Sequence, residues 1–217
     1  MSRVMPSTVS VITASTLRAV DLDWARVHLR SITTDEDVLI DSWVLAAQTY
    51  FTEYTSRPIG RTTYELWLDG FPCERKIELP HPPLLEVISF QYVAADGTVT
   101  DVTDGGSPEG LWQTKTPGGI YARRGWVELT EGSAWPIAKD ESAAVRIRYE
   151  AGYTDADGGA PDLVKAAVML LVGQFDQFRS NTHMSEGARL DQLPMGVDQM
   201  LSAFKFSALP SQVLHWP

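Results

Sequence analysis

The sequence predicts an α+β fold: helices from the N- and C-terminal segments form a bundle, and a β-rich insert lies between helices two and three. Apolar residues recur with the helical period in residues 21–58 and again in residues 160–205. Between residues 59 and 159 the pattern changes to alternation with period two, which is typical of strands. A chain of 217 residues can bury a core without disulfides or metal.

The N-terminal helical segment contains two predicted helices. The first begins after Asp21, whose carboxylate can accept hydrogen bonds from the first turn, and ends near Arg30. The second begins at residues 34–37, Thr34-Asp35-Glu36-Asp37, whose acidic residues complement the positive end of a helix dipole. It ends at Ser56, because the residue before Pro58 is pushed out of the helical region. Residues 1–20 are predicted to be an N-terminal arm.

The central segment reads as a series of short strands. Asp96-Gly97 lies between two of them and is a strong hairpin signal. Residues 104–119 are rich in glycine and predict an exposed loop or flap. The predicted strands are 61–68, 76–79, 85–94, 98–102, 125–129 and 145–149.

The C-terminal segment returns to helical spacing. Pro161 is suited to a first helical turn, and Leu163–Phe175 is apolar nearly all round, which indicates a core helix or a subunit interface. A polar linker leads to a last short helix, Val197–Phe204. The predicted domains are therefore a helical domain of residues 21–58 and 160–205, a β-rich insert of residues 59–159, and a C-terminal tail of residues 206–217.

The composition excludes several classes of protein. The formal net charge of −10 argues against a simple nucleic-acid binder and against adhesion to anionic membranes. Cys73 is the single cysteine, which excludes an internal disulfide framework and a multi-cysteine zinc site. The sequence has no apolar run long enough to cross a bilayer and no signal-peptide pattern. We therefore expect a chain without membrane contact that folds in a reducing cytoplasm.

Motifs for chemistry are also missing. The four histidines have no metal-ligand spacing, and no nucleophile elbow, P-loop or dinucleotide motif is present. Cys73 has no neighbouring base that would activate it. The acidic residues between Asp35 and Asp41 are better explained by a helix start than by a cation site. We predict no catalytic residue, no metal and no cofactor.

Residues for contact with other proteins are more promising. An indole in a segment with little local core is a candidate anchor for a partner. The candidates of this kind are Trp112 in the flap and Trp216 in the tail, together with Leu209, Val213 and Leu214. The residues predicted to lie in a subunit interface or in the core are Trp43, Tyr50, Val168, Leu171 and Phe175.

Several segments carry a family resemblance in their order. They are LDWARVHL (22–29) with TDEDVLI (34–40), YFTEYTSR (50–57) running into TYELWL (63–68), DGFP (69–72) and IELPHPPLL (77–85), then AWP (134–136), VRIRYEAGY (145–153), PDLVKAAVMLLVGQ (161–174) and LPMGV (193–197). Together they cover about residues 20–205. In this order they resemble the head–tail connector (adaptor) proteins of tailed bacteriophages and gene transfer agents, in the long subgroup with a β-rich insert.

The resemblance implies a structural virion protein without enzymatic activity. Such adaptors form a ring, commonly of twelve copies, below the portal protein, where they extend the DNA channel and offer a docking surface for the tail. The implied partners are the portal protein and a tail-side stopper or tail-terminator protein, while genomic DNA passes without sequence-specific binding. The implied location is the head–tail junction of the virion, with assembly in the host bacterial cytoplasm.

Two alternatives remain open at this point. One is a tail-side stopper or tail-completion protein, which would bind the tail tube rather than the portal. The other is a small hydrolase or carbohydrate-binding module with a pocket in the β-rich insert.

Overall fold

The computed structural model describes residues 7–31, 33–102, 110–154 and 159–179, with Leu201, Ser202 and Phe204. The chain divides into two compact units. The sheet unit comprises Met1–Ala19 and Arg57–Pro161, and the helix unit comprises Val20–Ser56 and Asp162–Pro217.

The described helices of the helix unit are α1 (Leu22–Leu29), α2 (Asp37–Thr55) and α3 (Asp162–Arg179). Asp21 caps α1 as predicted, because its carboxylate accepts a hydrogen bond from the Trp24 N–H at 2.8 Å. The C-cap residues that follow α1 and α2 are Arg30 and Ser56, and both have the left-handed conformation. The Arg26 guanidinium hydrogen-bonds both carboxylate oxygens of Asp37 and so ties α1 to the start of α2.

The core of the helix unit comes from one face of each long helix. Buried positions recur every three or four residues, as expected for helices that pack along one stripe. On α2 they are Ile40, Val44, Ala47, Phe51 and Thr55, and on α3 they are Val164, Ala167, Val168, Leu171 and Val172. Leu201 and Phe204 are also fully buried, so the C-terminal part of the chain contributes to this core.

The sheet unit contains eight described strands in two antiparallel sheets. The larger sheet has the order β1-β2-β8-β4-β5, and the smaller has the order β3-β7-β6. The strands are β1 (Ser7–Thr13), β2 (Thr62–Leu68), β3 (Lys76–Glu78), β4 (Leu84–Val93), β5 (Val99–Asp101), β6 (Trp112–Lys115), β7 (Trp126–Leu129) and β8 (Val145–Ala151).

The two sheets share one hydrophobic core. Strand β8 shows the clearest alternation: Val145, Ile147, Tyr149 and Ala151 are buried, while the residues between them are partly exposed. These side chains pack with residues of both sheets, among them Leu66, Phe90 and Val127. Gly125, just before β7, lies close to Leu84 of β4, since a Cβ there would meet the Leu84 side chain at 2.3 Å. The hairpin at Asp96-Gly97 forms as predicted, with Gly97 at φ +87°.

The predicted fold class is wrong. The structure is mostly strand-rich, with two antiparallel sheets, and is not a helical bundle built from N- and C-terminal helices around an insert. Residues Ser7–Thr13, within the expected N-terminal arm, form β1 and pair antiparallel with β2. The physical reason is that strand pairing joins segments far apart in sequence, which a reading of local periodicity does not detect.

Candidate interaction surfaces

The described residues show no constellation for metal chemistry. Within residues 7–31, 33–102, 110–154 and 159–179, no group of three or more His, Cys, Asp or Glu side chains could hold a metal ion. Cys73 is exposed. None of the described helices is long and apolar enough to span a membrane. The features that stand out are surfaces.

The first surface is the outer face of α2, on the side of the helix away from its buried stripe. The exposed side chains here are largely apolar: Val38 is 86% exposed, Leu45 46% and Tyr50 37%. Two hydroxyl groups on this face donate back to the helix, Ser42 to the Leu39 carbonyl at 2.6 Å and Thr49 to the Leu45 carbonyl at 2.9 Å.

Charge is nearly absent from this outer face. Among the exposed residues of α2, Glu53 is the single charged one, and it lies near the C-terminal end of the helix. A solvated helix face normally carries several charged side chains. An exposed face with this composition is typical of a surface that another protein covers.

The predicted interface or core residues fall into two groups. Val168 and Leu171 are fully buried in the core of the helix unit. Trp43, Tyr50 and Phe175 are partly or largely exposed, and the Tyr50 ring stacks on Tyr54 with 6.0 Å between centroids. Tyr50 and Trp43 lie on α2, so the α2 outer face includes part of the predicted set.

The structure corrects the exposure expected for Trp112. Instead of lying in an open flap, Trp112 begins β6 and is 6% exposed. Its indole N–H donates to the Val102 carbonyl at 3.2 Å, and its ring packs edge-on against Phe90 at 5.5 Å. Residues 104–109 of the expected flap lie outside the described residues, and so do the other candidate anchors, Leu209, Val213, Leu214 and Trp216.

The second surface is the polar outer face of the larger sheet. Glu65 on β2 lies opposite Arg148 on β8 and forms an ion pair with it at 2.9 Å. Trp67 lies opposite Arg146, whose guanidinium carbon is 5.9 Å from the ring centroid. Arg61 pairs with Glu150 at 2.6 Å. These charged side chains pair with one another across the strands, and Glu65 is buried, at 7% exposed.

A titratable cluster lies inside the sheet unit. His81 Nδ1 and the Tyr149 hydroxyl are 2.8 Å apart and share a hydrogen bond, and the His81 ring stacks on Tyr64 at 3.9 Å. Burial, with a smaller effect from the charge of Arg124, lowers the pKa of His81 to about 4. Burial also raises the pKa of the Tyr149 phenol. Both groups are therefore neutral at pH 7, and their contacts with each other and with Tyr64 give them a structural role.

The third surface is the loop between β6 and β7, residues 116–125, here called the anchored loop. Its tip is exposed and apolar: Ile120 is 47% exposed and Tyr121 58%. The Arg57 guanidinium donates to the Ala122 carbonyl at 2.7 Å, and the Tyr153 hydroxyl donates to the Ile120 carbonyl at 3.1 Å. Both anchoring residues are buried. Residues 116–119 of this loop fall within the predicted exposed flap, but Ile120 and Tyr121 were not among the predicted contact residues.

Comparison with known proteins gives a class for this fold. No protein-family model matches the chain, and no curated protein matches it. Solved structures do match, and chains of gene transfer agent particles are among them. At identities below 25% the likeness establishes the fold, which is therefore one found in the virion and neck of such particles.

The individual matches cover nearly the whole of each chain. A chain from the virion of a native gene transfer agent particle is 23% identical with a TM-score of 0.68, covering 91% of this chain and 95% of that one. A chain from the neck of an empty particle, computed with C6 symmetry, is 21% identical with a TM-score of 0.66 and the same coverage. A chain from the neck of a native particle, computed with C12 symmetry, is 19% identical with a TM-score of 0.62, covering 90% and 94%.

Proposed function

We propose that this protein is a structural component of the neck of a phage-like particle, a head–tail connector whose copies form a ring. The observation that carries the proposal is the fold shared with neck chains over 91% of this chain and 95% of the other. Near-complete coverage in both directions means that the likeness extends through both units of the chain. In this role the protein has no catalytic function.

A ring needs a surface on each copy that its neighbour covers. The α2 outer face supplies one, because it exposes Val38, Leu45 and Tyr50 with little charge. The matching neck structures were computed with C6 and C12 symmetry, which favours a cyclic arrangement of copies. In such a ring each copy contacts the next through two different faces. We assign the α2 outer face, including Tyr50 and the partly buried Trp43, to this contact between copies.

The net charge fits a conduit for DNA. A protein with a net charge of −10 repels a polyanion at short range, so DNA can pass without being held. In this arrangement the portal protein lies on the head side and a stopper or tail-terminator protein on the tail side. The complex assembles in the host bacterial cytoplasm and remains at the head–tail junction.

The test is to interrupt the gene in a particle-producing strain and image the lysate by electron microscopy. We expect DNA-filled heads without tails beside free complete tails, and restoration of joined particles by the intact gene supplied in trans. Normal particles would overturn the proposal. Tailless heads that have lost their DNA, with the portal still carrying its connector, would identify a tail-side stopper instead.

We also assign the C-terminal tail, residues 206–217, to the contact with the portal protein on the head side, and a second experiment tests this assignment. Deleting residues 210–217 should weaken co-purification with the portal protein and leave the far-ultraviolet circular dichroism unchanged. Substituting Trp216→Ala alone is the matched point variant and should give a smaller loss in the same direction. Unchanged co-purification with portal by both variants would contradict the assignment of the tail to portal.

A further inference from the structure

The anchored loop has a feature that the role in the neck does not by itself explain. Buried side chains of the sheet unit hydrogen-bond its backbone, while its tip exposes large side chains to solvent. Ala122 lies between exposed residues on both sides but is itself only 3% exposed, so the loop folds back onto the sheet unit at that point. Ile120, Tyr121 and Arg123 remain outside.

The fixation involves buried polar groups. Arg57 is 3% and Tyr153 6% exposed, and a side-chain hydrogen bond links them. Burial raises the pKa of the Tyr153 phenol, so it stays protonated and can donate to the Ile120 carbonyl at neutral pH. The Ala122 N–H closes a turn on the Gly119 carbonyl at 3.1 Å, and Gly119 has φ +99°.

A loop held in this way is pre-organised for binding. A flexible loop with exposed Ile and Tyr would lose conformational entropy when a partner ordered it. Here the loop is already ordered by Arg57 and Tyr153. Tyr and Arg are the side chains over-represented at binding hot spots, and the tip presents one of each beside an isoleucine.

The charge of the loop indicates what it binds. From Lys115 to Gly125 the chain has three basic residues, Lys115, Arg123 and Arg124, and no acidic residue, in a protein whose net charge is −10. Copies of such a protein repel one another as a whole. A basic patch that meets an acidic surface of the next copy offsets this repulsion at the point of contact.

We infer that the anchored loop docks onto a neighbouring copy of this chain in the ring, with Ile120 and Tyr121 in an apolar contact and Arg123 on an acidic surface. The inference rests on the proposed function, since it requires copies that lie side by side. It adds a contact in the sheet unit to the contact assigned to the α2 outer face.

Photo-crosslinking in assembled particles tests the contact. A benzophenone amino acid replaces Tyr121 in one strain and Glu131 in a control strain. Residue 131 is exposed and lies just beyond β7, at the opposite end of that strand from the anchored loop. Irradiation of purified particles should give a species of twice the 24.0 kDa chain mass from position 121 and at least about tenfold less from position 131.

The possible results separate the inference from the proposed function. If the chain is present in particles but position 121 crosslinks to a different virion protein, to DNA or to nothing, the inference is overturned and the neck role stands. Equal yields from positions 121 and 131 also overturn it, since they indicate crowding without a defined contact. If the chain is absent from particles, both proposals fail together.

Substitutions provide the second test. Arg123→Glu reverses the charge and should reduce the number of copies in the neck by about tenfold or more, whereas Arg123→Lys keeps the charge and should retain most of them. Arg123 is exposed, so we expect unchanged melting temperatures for both purified variants. Equal incorporation of the Glu and Lys variants would contradict the charged part of the contact.

Discussion

The ring of Phe204 meets the ring of Phe51 edge-on, with 5.6 Å between the two centroids, and both side chains are fully buried. Phe51 lies on α2, whereas Phe204 belongs to the C-terminal segment. Leu201, one helical turn earlier, is buried as well. The C-terminal segment therefore completes the core of the helix unit through these two side chains.

The first prediction concerns this aromatic pair. Phe204→Ala should lower the free energy of unfolding of the helix unit by about 3–5 kcal/mol, because it removes a buried ring and leaves a cavity beside Phe51. Hydrogen exchange of the α2 amides measures this unit separately. Phe204→Leu is the matched control and should cost about 1–2 kcal/mol. If the hydrogen-exchange protection of the α2 amides did not change in Phe204→Ala, the packing of Phe204 against Phe51 would be contradicted.

The second prediction compares two glycines with positive φ. Gly152 has φ +123°, and a Cβ there would lie 2.2 Å from the Gly60 carbonyl oxygen. Gly97 has φ +87°, but a Cβ there would meet nothing within 4 Å. Gly97→Ala should therefore cost only the backbone strain, about 1–2 kcal/mol.

Gly152→Ala should lower the free energy of unfolding clearly more, by about 3 kcal/mol or above, since the backbone at Gly60, just before β2, must move as well. Urea denaturation of the two purified variants decides the comparison. Similar midpoints for the two variants would show that the approach of residue 152 to Gly60 is not close in solution.

The third prediction is a dependence of stability on pH through His81. Its pKa is lowered to about 4 in the folded chain, from a usual value of 6.5. Between pH 6.5 and 4 the unfolded chain binds more protons at this residue than the folded chain, so the free energy of unfolding falls as the pH is lowered through this window. The contribution is complete above pH 6.5 and amounts to about 3 kcal/mol, since each pKa unit corresponds to about 1.4 kcal/mol.

Two variants isolate this effect from the carboxylates that titrate in the same window. His81→Phe keeps an aromatic ring to stack on Tyr64 and removes the titration, so its stability should fall less steeply between pH 6.5 and 4. Tyr149→Phe removes the shared hydrogen bond but retains the imidazole, so it should keep the steep dependence. Identical slopes for wild type and His81→Phe in equilibrium urea titrations would contradict the assignment.

The sequence predicted individual elements better than their assembly. The alternation in residues 145–149 and the Asp96-Gly97 turn are local signals. The first corresponds to β8 and the second to the β4–β5 hairpin. Strand β1 pairs with β2 across about fifty residues, and no local pattern encodes such a pairing. The fold class failed for this reason, because the N-terminal strand joins the central sheet instead of preceding a bundle.

The candidate surfaces show the same division. Helical periodicity identified Trp43 and Tyr50 on α2, but the nearly uncharged outer face became visible only when the buried stripe was known. Trp112 was misjudged because the four-residue strand that it begins, β6, adjoins a glycine-rich segment. The anchors of the loop, Arg57 and Tyr153, lie far from it in sequence and carry no motif of their own.

The fourth prediction separates folding from assembly at the α2 outer face. Val38 lies in the first turn of α2 and is 86% exposed, and Leu45 lies two turns later on the exposed side. Glu is a good helix former, and a negative charge in the first turn interacts favourably with the helix dipole. Val38→Glu and Leu45→Glu should therefore leave the melting temperature of the purified chain unchanged or slightly raised.

The same two substitutions place charges on a face that we assign to a neighbouring copy. Burying an unpaired carboxylate in an interface is strongly unfavourable, so the double variant should be incorporated into necks at least about tenfold less than wild type. Gln177→Glu, at an exposed position of α3, adds one such charge elsewhere in the helix unit and should be incorporated normally. Quantitative mass spectrometry of purified particles measures all three proteins. Normal incorporation of the double variant would mean that α2 faces solvent in the neck, and reduced incorporation of Gln177→Glu would point to added charge in general as the cause.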